Sequence, residues 1–276
     1  TNLNDNQGRI RTGSGVTFTN NGTWLDQNAF NNQISPDFGG TSTFVNAGTY
    51  TKSGVGTTTI SVGYNNSGTT NVNAGTLNLG GGGTSSGGFS GLAGTTIGFG
   101  GGYTLQAGSS INTAGSVAFS SGTNTVAGSY SAGTTASFTG GTTTFTGTVT
   151  SVGSSLSATG GSGVFNNLQA FTIAGLSISG GGLTFNNIGG VTATTLDLTG
   201  GTLGGTSAVT IAGASTWTGG TMTGSGSTVF NGTVALSGNG VKDVTNGRSV
   251  VFNDTTTWTN LNDNQGRIRT GSGVTF

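Results

Sequence analysis

Of 276 residues, 58 are Gly, about a fifth against the usual ~7%, only 5% are charged, and Lys+Arg balances Asp+Glu at 7 each. One Pro and no third-residue glycine period exclude a collagen, while 15 Phe and a 31% hydrophobic share exclude an ordinary disordered tail. The absence of Cys and His removes disulfides and thiolate metal sites, and sparse, balanced charge argues against nucleic acid or an anionic membrane as partner.

The chain opens at Thr1 with no charged segment followed by an apolar one, so no signal peptide is visible. No apolar stretch approaches ~18 residues, so no membrane span is expected. Residues 1–18, TNLNDNQGRIRTGSGVTF, recur unchanged at 259–276, an offset of 258. Residues 1–258 are therefore read as one full unit of a tandem array, and 259–276 as the start of the next. Within this segment, Asn4-Asp5-Asn6-Gln7-Gly8 is half of an acidic calcium loop, but it lacks the remaining ligand positions and the distal Glu. An Asx-rich turn accounts for it equally well, and no metal site is expected.

Further along, Val45-Asn46-Ala47-Gly48-Thr49 returns as Val72-Asn73-Ala74-Gly75-Thr76, 27 residues on. Alternation of Thr or Ser with an apolar residue runs through Thr57–Val62, Ser116–Phe119, Thr144–Val149 and Thr194–Leu198, the period-2 signature of half-buried strands. Gly80–Gly83 and Gly98–Gly102 lack the Gly-Lys-Ser/Thr and helix of a phosphate loop. They are read as turns or as an excursion from the main body. Thr142–Thr150 could set a flat row of hydroxyls and methyls on one face, a lattice suited to ice, although varying coil lengths count against it.

An aromatic followed by Asn recurs at Phe165-Asn166, Phe185-Asn186, Phe230-Asn231 and Phe252-Asn253, and loosely at Phe18-Thr19-Asn20. Trp217 and Trp258 are 41 apart, and the Phe spacings of 20, 45 and 22 read as one, two and one steps. Such drifting self-similarity predicts an all-β parallel solenoid with coils of about 20–27 residues. Twelve or so coils at ~4.8 Å per coil make a rod roughly 60 Å long. Core or stacking positions are expected for Phe18, Trp24, Phe165, Phe185, Trp217, Phe230, Phe252 and Trp258, and turn ladders for Asn166, Asn186, Asn231 and Asn253.

Trp217-Thr218-Gly219-Gly220-Thr221-Met222-Thr223-Gly224-Ser225-Gly226 resembles the W-x-G-G-x-[MIL]-x-G-x-G repeats of very large secreted bacterial surface proteins. Thr199–Thr206 and Asn73–Leu79 are similar to rungs of autotransporter and filamentous-haemagglutinin-type adhesin passengers. The resemblance covers most of the chain in style, through short motifs. It implies a right-handed parallel β-helix, export from a bacterium to the cell surface or beyond, and a role as stalk or adhesin.

Enzymes on this architecture need convergent acids or a metal cage in a cleft, yet residues 53–196 carry no charged side chain. The charges gather near the repeat junction, where they are read as fixing register between coils. Hence no catalytic, cofactor or metal residues are assigned. The expected function is a passive structural repeat of an extracellular fibre, whose partner is another copy of itself or other surface or matrix components. The alternative is an adhesin or binding module for glycan, protein or ice carried on a solenoid stalk.

Overall fold

Alternating sequence becomes alternating burial. In the computed structural model, which describes residues 8–259 and 266–274, Thr57–Ile60, Thr76–Leu79 and Thr135–Phe138 each turn Thr, Ser or Asn outward and bury the residues that alternate with them. Three such strands make one turn. Gly8–Arg11, Asn32–Ser35 and Thr57–Ile60 begin a first face, Thr17–Asn20, Thr43–Asn46 and Gly63–Asn66 a second, and Thr23–Asp26, Thr49–Lys52 and Thr69–Val72 a third. Strands pair in parallel with the strand of their own face one turn on, as in Phe18↔Phe44↔Tyr64, with one break on the third face after Val149–Val152, which pairs only back onto Ser129–Ala132. The result is a parallel β-solenoid of about 13 turns with no helix among the described residues.

Most turns take about 20 residues, and the first and last take 26, from Phe18 to Phe44 and from Val244 to Thr270. Phe171–Ile178 and Val191–Leu198 run from the third face onto the first as single eight-residue strands. There the small outward pairs Ala174-Gly175 and Thr194-Thr195 replace a corner. The corner reopens one turn later, where Val191–Ala193 pairs with Val209–Ile211 and Asp197-Leu198 with Thr216-Trp217.

Like residues stack along the hollow of the rod. Phe99, Phe119 and Phe138 lie ring on ring at 5.6 and 5.4 Å, and Phe145, Phe165 and Phe185 at 4.6 and 5.3 Å, close to the strand spacing of ~4.8 Å. Backbone crowding at the corners explains the glycine count. A Cβ on Gly48 or Gly68 would stand 2.1 or 2.0 Å from the carbonyl oxygen of the glycine one turn before. At another corner, Gly141 and Gly181 hold φ of +66° and +59°, open to glycine at little cost. The Gly-rich stretch stays on the rod, since Gly83–Ser85, Gly88–Gly91 and Thr96–Phe99 are all ladder strands.

Two spacings mean something other than a coil length. Asn46 ends a second-face strand with Val45 outward, whereas Val72 ends a third-face strand and is buried. The offset of 27 is therefore one turn of 20 plus one face. Likewise Phe165 and Phe185 belong to the second face, whereas Phe230 and Phe252 continue the third-face column Ile173, Ala193 and Ile211. The 45-residue step between the pairs is thus two turns and part of another, not two coils.

Candidate functional site at the corner ladders and charged ends

Second-face strands end in an inward residue just before a glycine corner, so its side chain meets backbone carbonyls bending into the core. Asn fills this role in the first turns. Asn20 Nδ2 donates to Asn46 Oδ1 at 2.7 Å and to the Thr49 carbonyl at 3.0 Å. Asn46 Nδ2 repeats both contacts with Asn66 Oδ1 and the Thr69 carbonyl at 2.8 and 3.0 Å. Asn66 Nδ2 continues to Ser85 Oγ and the Gly88 carbonyl at 3.3 and 3.2 Å. This buried ladder was not among the expected site residues. Its signal is an Asn/Ser-x-Gly triplet recurring once per turn, at 20–22, 46–48, 66–68 and 85–87.

The four expected ladder asparagines stand on the outside instead. Asn186 Nδ2 donates to Asn166 Oδ1 at 2.9 Å and Asn253 Nδ2 to Asn231 Oδ1 at 2.8 Å. Among the expected core aromatics, Phe165, Phe185, Trp217 and Phe230 are fully buried, and Phe18, Trp24 and Phe252 are half-buried against the core near the ends. Trp258 is 57% exposed. Its strand pairs back onto Val234–Leu236 and forms the last rung of its column among the described residues.

The charged groups collect toward the two ends. Asp26, buried on the third face, accepts from Asn28 Nδ2 at 2.8 Å, from the Tyr50 hydroxyl at 2.9 Å and from Thr58, with Lys52 Nζ 4.0 Å away in the next turn. Burial alone would raise its pKa; the Thr58, Asn28 and Tyr50 hydrogen bonds and the Lys52 charge outweigh it and hold the carboxyl below its usual value. Lys52 is pushed down by desolvation against the pull of Asp26, and its Nζ also donates to the Gly54 carbonyl at 2.8 Å. Lys242 and Arg248 are buried near the far end. Lys242 Nζ donates to the Gly240 and Thr218 carbonyls, and Arg248 to the Gly205 and Ser227 carbonyls and Thr228 Oγ1. Desolvation lowers Arg248 to about 10. These cations do at their corners what Asn20, Asn46 and Asn66 do at theirs.

Beside Asp26, a cavity of about 280 Å³ opens at the first turns, lined by Ile10, Trp24, Ile34, Tyr50 and Thr58. Asp26 is the one carboxylate in its lining, and its oxygens are already hydrogen-bonded to Asn28, Tyr50 and Thr58. Among the described residues no three metal-ligating side chains converge, and residues 4–7 of the half calcium loop lie outside the described part.

The outer faces carry columns of hydroxyls. Thr84, Thr104, Thr125 and Thr144 are in register on the second face, and Thr57, Thr76, Thr96 and Ser116 on the first. The Thr142–Thr150 run does not form one flat row. Thr142–Phe145 belongs to the second face with Thr143 buried, and Val149–Val152 lies round the corner on the third. Compared with family models, curated proteins and solved structures, the chain matches none.

Proposed function

We propose that this chain is a structural repeat of an extracellular bacterial fibre or giant surface protein, a passive rod that continues from unit to unit. One observation carries the reading. Ile268–Thr270, from the second copy of the opening segment, adds a further parallel strand to the second face, pairing with Lys242–Val244. A repeated segment that extends the ladder suits a rod better than a closed domain, whose end must be capped. The rod then acts mechanically, through axial backbone ladders, stacked rings and corner amides, with no catalytic step. Its kinship with adhesin-type passenger repeats, and export to the cell surface, rest on the sequence resemblance.

Antibody raised against the 258-residue unit tests this reading on the source cells. Labelling of filaments or of the surface of intact cells supports it; labelling only after permeabilisation contradicts it.

A second reading, a binding module on a stalk, draws on Leu168 and Ile188. They protrude in successive turns, 68% and 81% exposed, and Leu168 borders a groove of about 380 Å³ between Gly108, Gly128 and Gly147. A pair of Ser substitutions there that abolishes adhesion while leaving the filament intact would favour the stalk-borne adhesin.

A further inference from the structure

One sequence takes two seats in this structure. Gly8–Arg11 lies on the first face and pairs with Asn32–Ser35, Ile10 opposite Ile34. Its identical copy at 266–269 leads into Ile268–Thr270 on the second face, Ile268 opposite Lys242 and Arg269 opposite Asp243. The second face holds 13 strands, from Thr17–Asn20 to Ile268–Thr270, which is twelve turns, and residue 10 precedes the first of them by one face. The 258-residue unit therefore spans twelve turns and a third.

We propose that successive units join end to end with a one-third turn about the rod axis. Each unit then lays its first face on the second face of the unit before it, and the faces return to line after three units. This rests on the tandem-rod reading above and adds the geometry of the joint.

The joint is built to receive that seat. The backbone ladder runs across it, Lys242 N–H donating to the Arg267 carbonyl at 2.9 Å and Gly271 N–H to the Val244 carbonyl at 2.8 Å. Arg269 forks onto Asp243, Nε to Oδ1 at 2.7 Å and Nη2 to Oδ2 at 2.8 Å. At the other end the same arginine of the repeat, Arg11, turns its Nε to Asp37 Oδ2 at 2.8 Å. In an array one guanidinium would thus lie between Asp243 of the unit behind and Asp37 of its own unit. The outer charges near the ends of the unit would then mark register at the joint. The half-exposed Trp258, in register with Leu236, is the rung that the following turn would cover. A comparable migration already occurs inside the unit, where the Phe-Asn motif leaves the second face at Phe185 and reappears on another at Phe230.

The test is a chain of three consecutive units carrying Thr104→Cys in each, labelled with maleimide-gold and imaged by electron tomography. The chain has no other Cys, and Thr104 is exposed on the second face. Thr84→Cys, one turn away on the same column, serves if the first variant fails to fold or label. Gold particles spaced roughly 59 Å apart along the rod, each rotated by a third of a turn from the last, are expected. Particles in a single line along a continuous rod, or at irregular azimuths on one, would overturn the proposal. Separate particles without a continuous rod would instead contradict the tandem-rod reading itself.

Discussion

All four tyrosines, Tyr50, Tyr64, Tyr103 and Tyr130, point into the rod, and burial raises the pKa of each, with Asp26 adding to the effect at Tyr50. An unfolded phenol ionises near ~10. Because the folded values lie above this, their contribution to stability is complete below pH ~10 and is lost as pH climbs beyond it. Arg248, lowered to about 10 by burial, works in the opposite direction in that window, one group against four. Phenolate absorbance should therefore stay silent until the strands melt, the two signals moving together above pH ~10. Phenolate appearing with the strand signal intact would show that the rings are accessible. The buried ion pair gives a second expectation. Asp26→Asn leaves Lys52 unpaired and should cost about 3–5 kcal/mol, whereas Asp26→Asn with Lys52→Met should recover much of it. Denaturant midpoints of the two variants decide; equal losses would mean that the pair does not act as a unit. Since the folded Asp26 carboxyl sits below its ordinary value of 3.8, its contribution is present above that pH and fades as acidification reaches the folded value.

Gly68→Ala would press a Cβ to 2.0 Å from the Gly48 carbonyl oxygen, a contact between backbones that can yield only by opening the corner. A loss of about 1–3 kcal/mol is expected, measured as a lowered unfolding midpoint, while Gly94→Ala, whose Cβ meets nothing within 4 Å despite its φ of +79°, reports the conformational strain alone. Equal losses at both sites would deny the close approach its role. Strands were legible in the sequence because Thr-x-Thr-Ile at 57–60 and Ser-Val-Ala-Phe at 116–119 write burial directly as period two. Face assignment was not legible. A motif such as Phe-Asn marks the end of a strand on any face, so Phe185 and Phe230 look like members of one column although a corner separates them. The buried asparagines were hidden for a related reason: Asn20, Asn46 and Asn66 do not directly follow an aromatic, and only their constant distance from a glycine distinguishes them from surface turns. Burial of Lys242 and Arg248 had no sequence signal, because a corner carbonyl accepts a long cation as readily as an amide.

Across the whole molecule, one ladder geometry meets several needs at once. Stacked strands satisfy the backbone, stacked rings fill the hollow, and the corners carry glycine where chains approach and a polar side chain where carbonyls turn in. A solenoid of this kind has no natural length; it ends where a coil lacks a neighbour. In the last described turns Trp258 is exposed and Phe252 half-buried, whereas the rings of the middle turns are covered on both sides. Outward Thr and Ser columns keep the long faces wettable although the central 144 residues, 53–196, bear no charge.

Units that continue one another as a single rod add a fixed contour length each. Chains of one, two and four units, imaged in the electron microscope, should be thin rods that lengthen by roughly 60 Å per added unit, with a layer line near ~4.8 Å in diffraction from aligned material. Beads joined by variable gaps, or particles that grow wider rather than longer with each unit, would contradict this continuity.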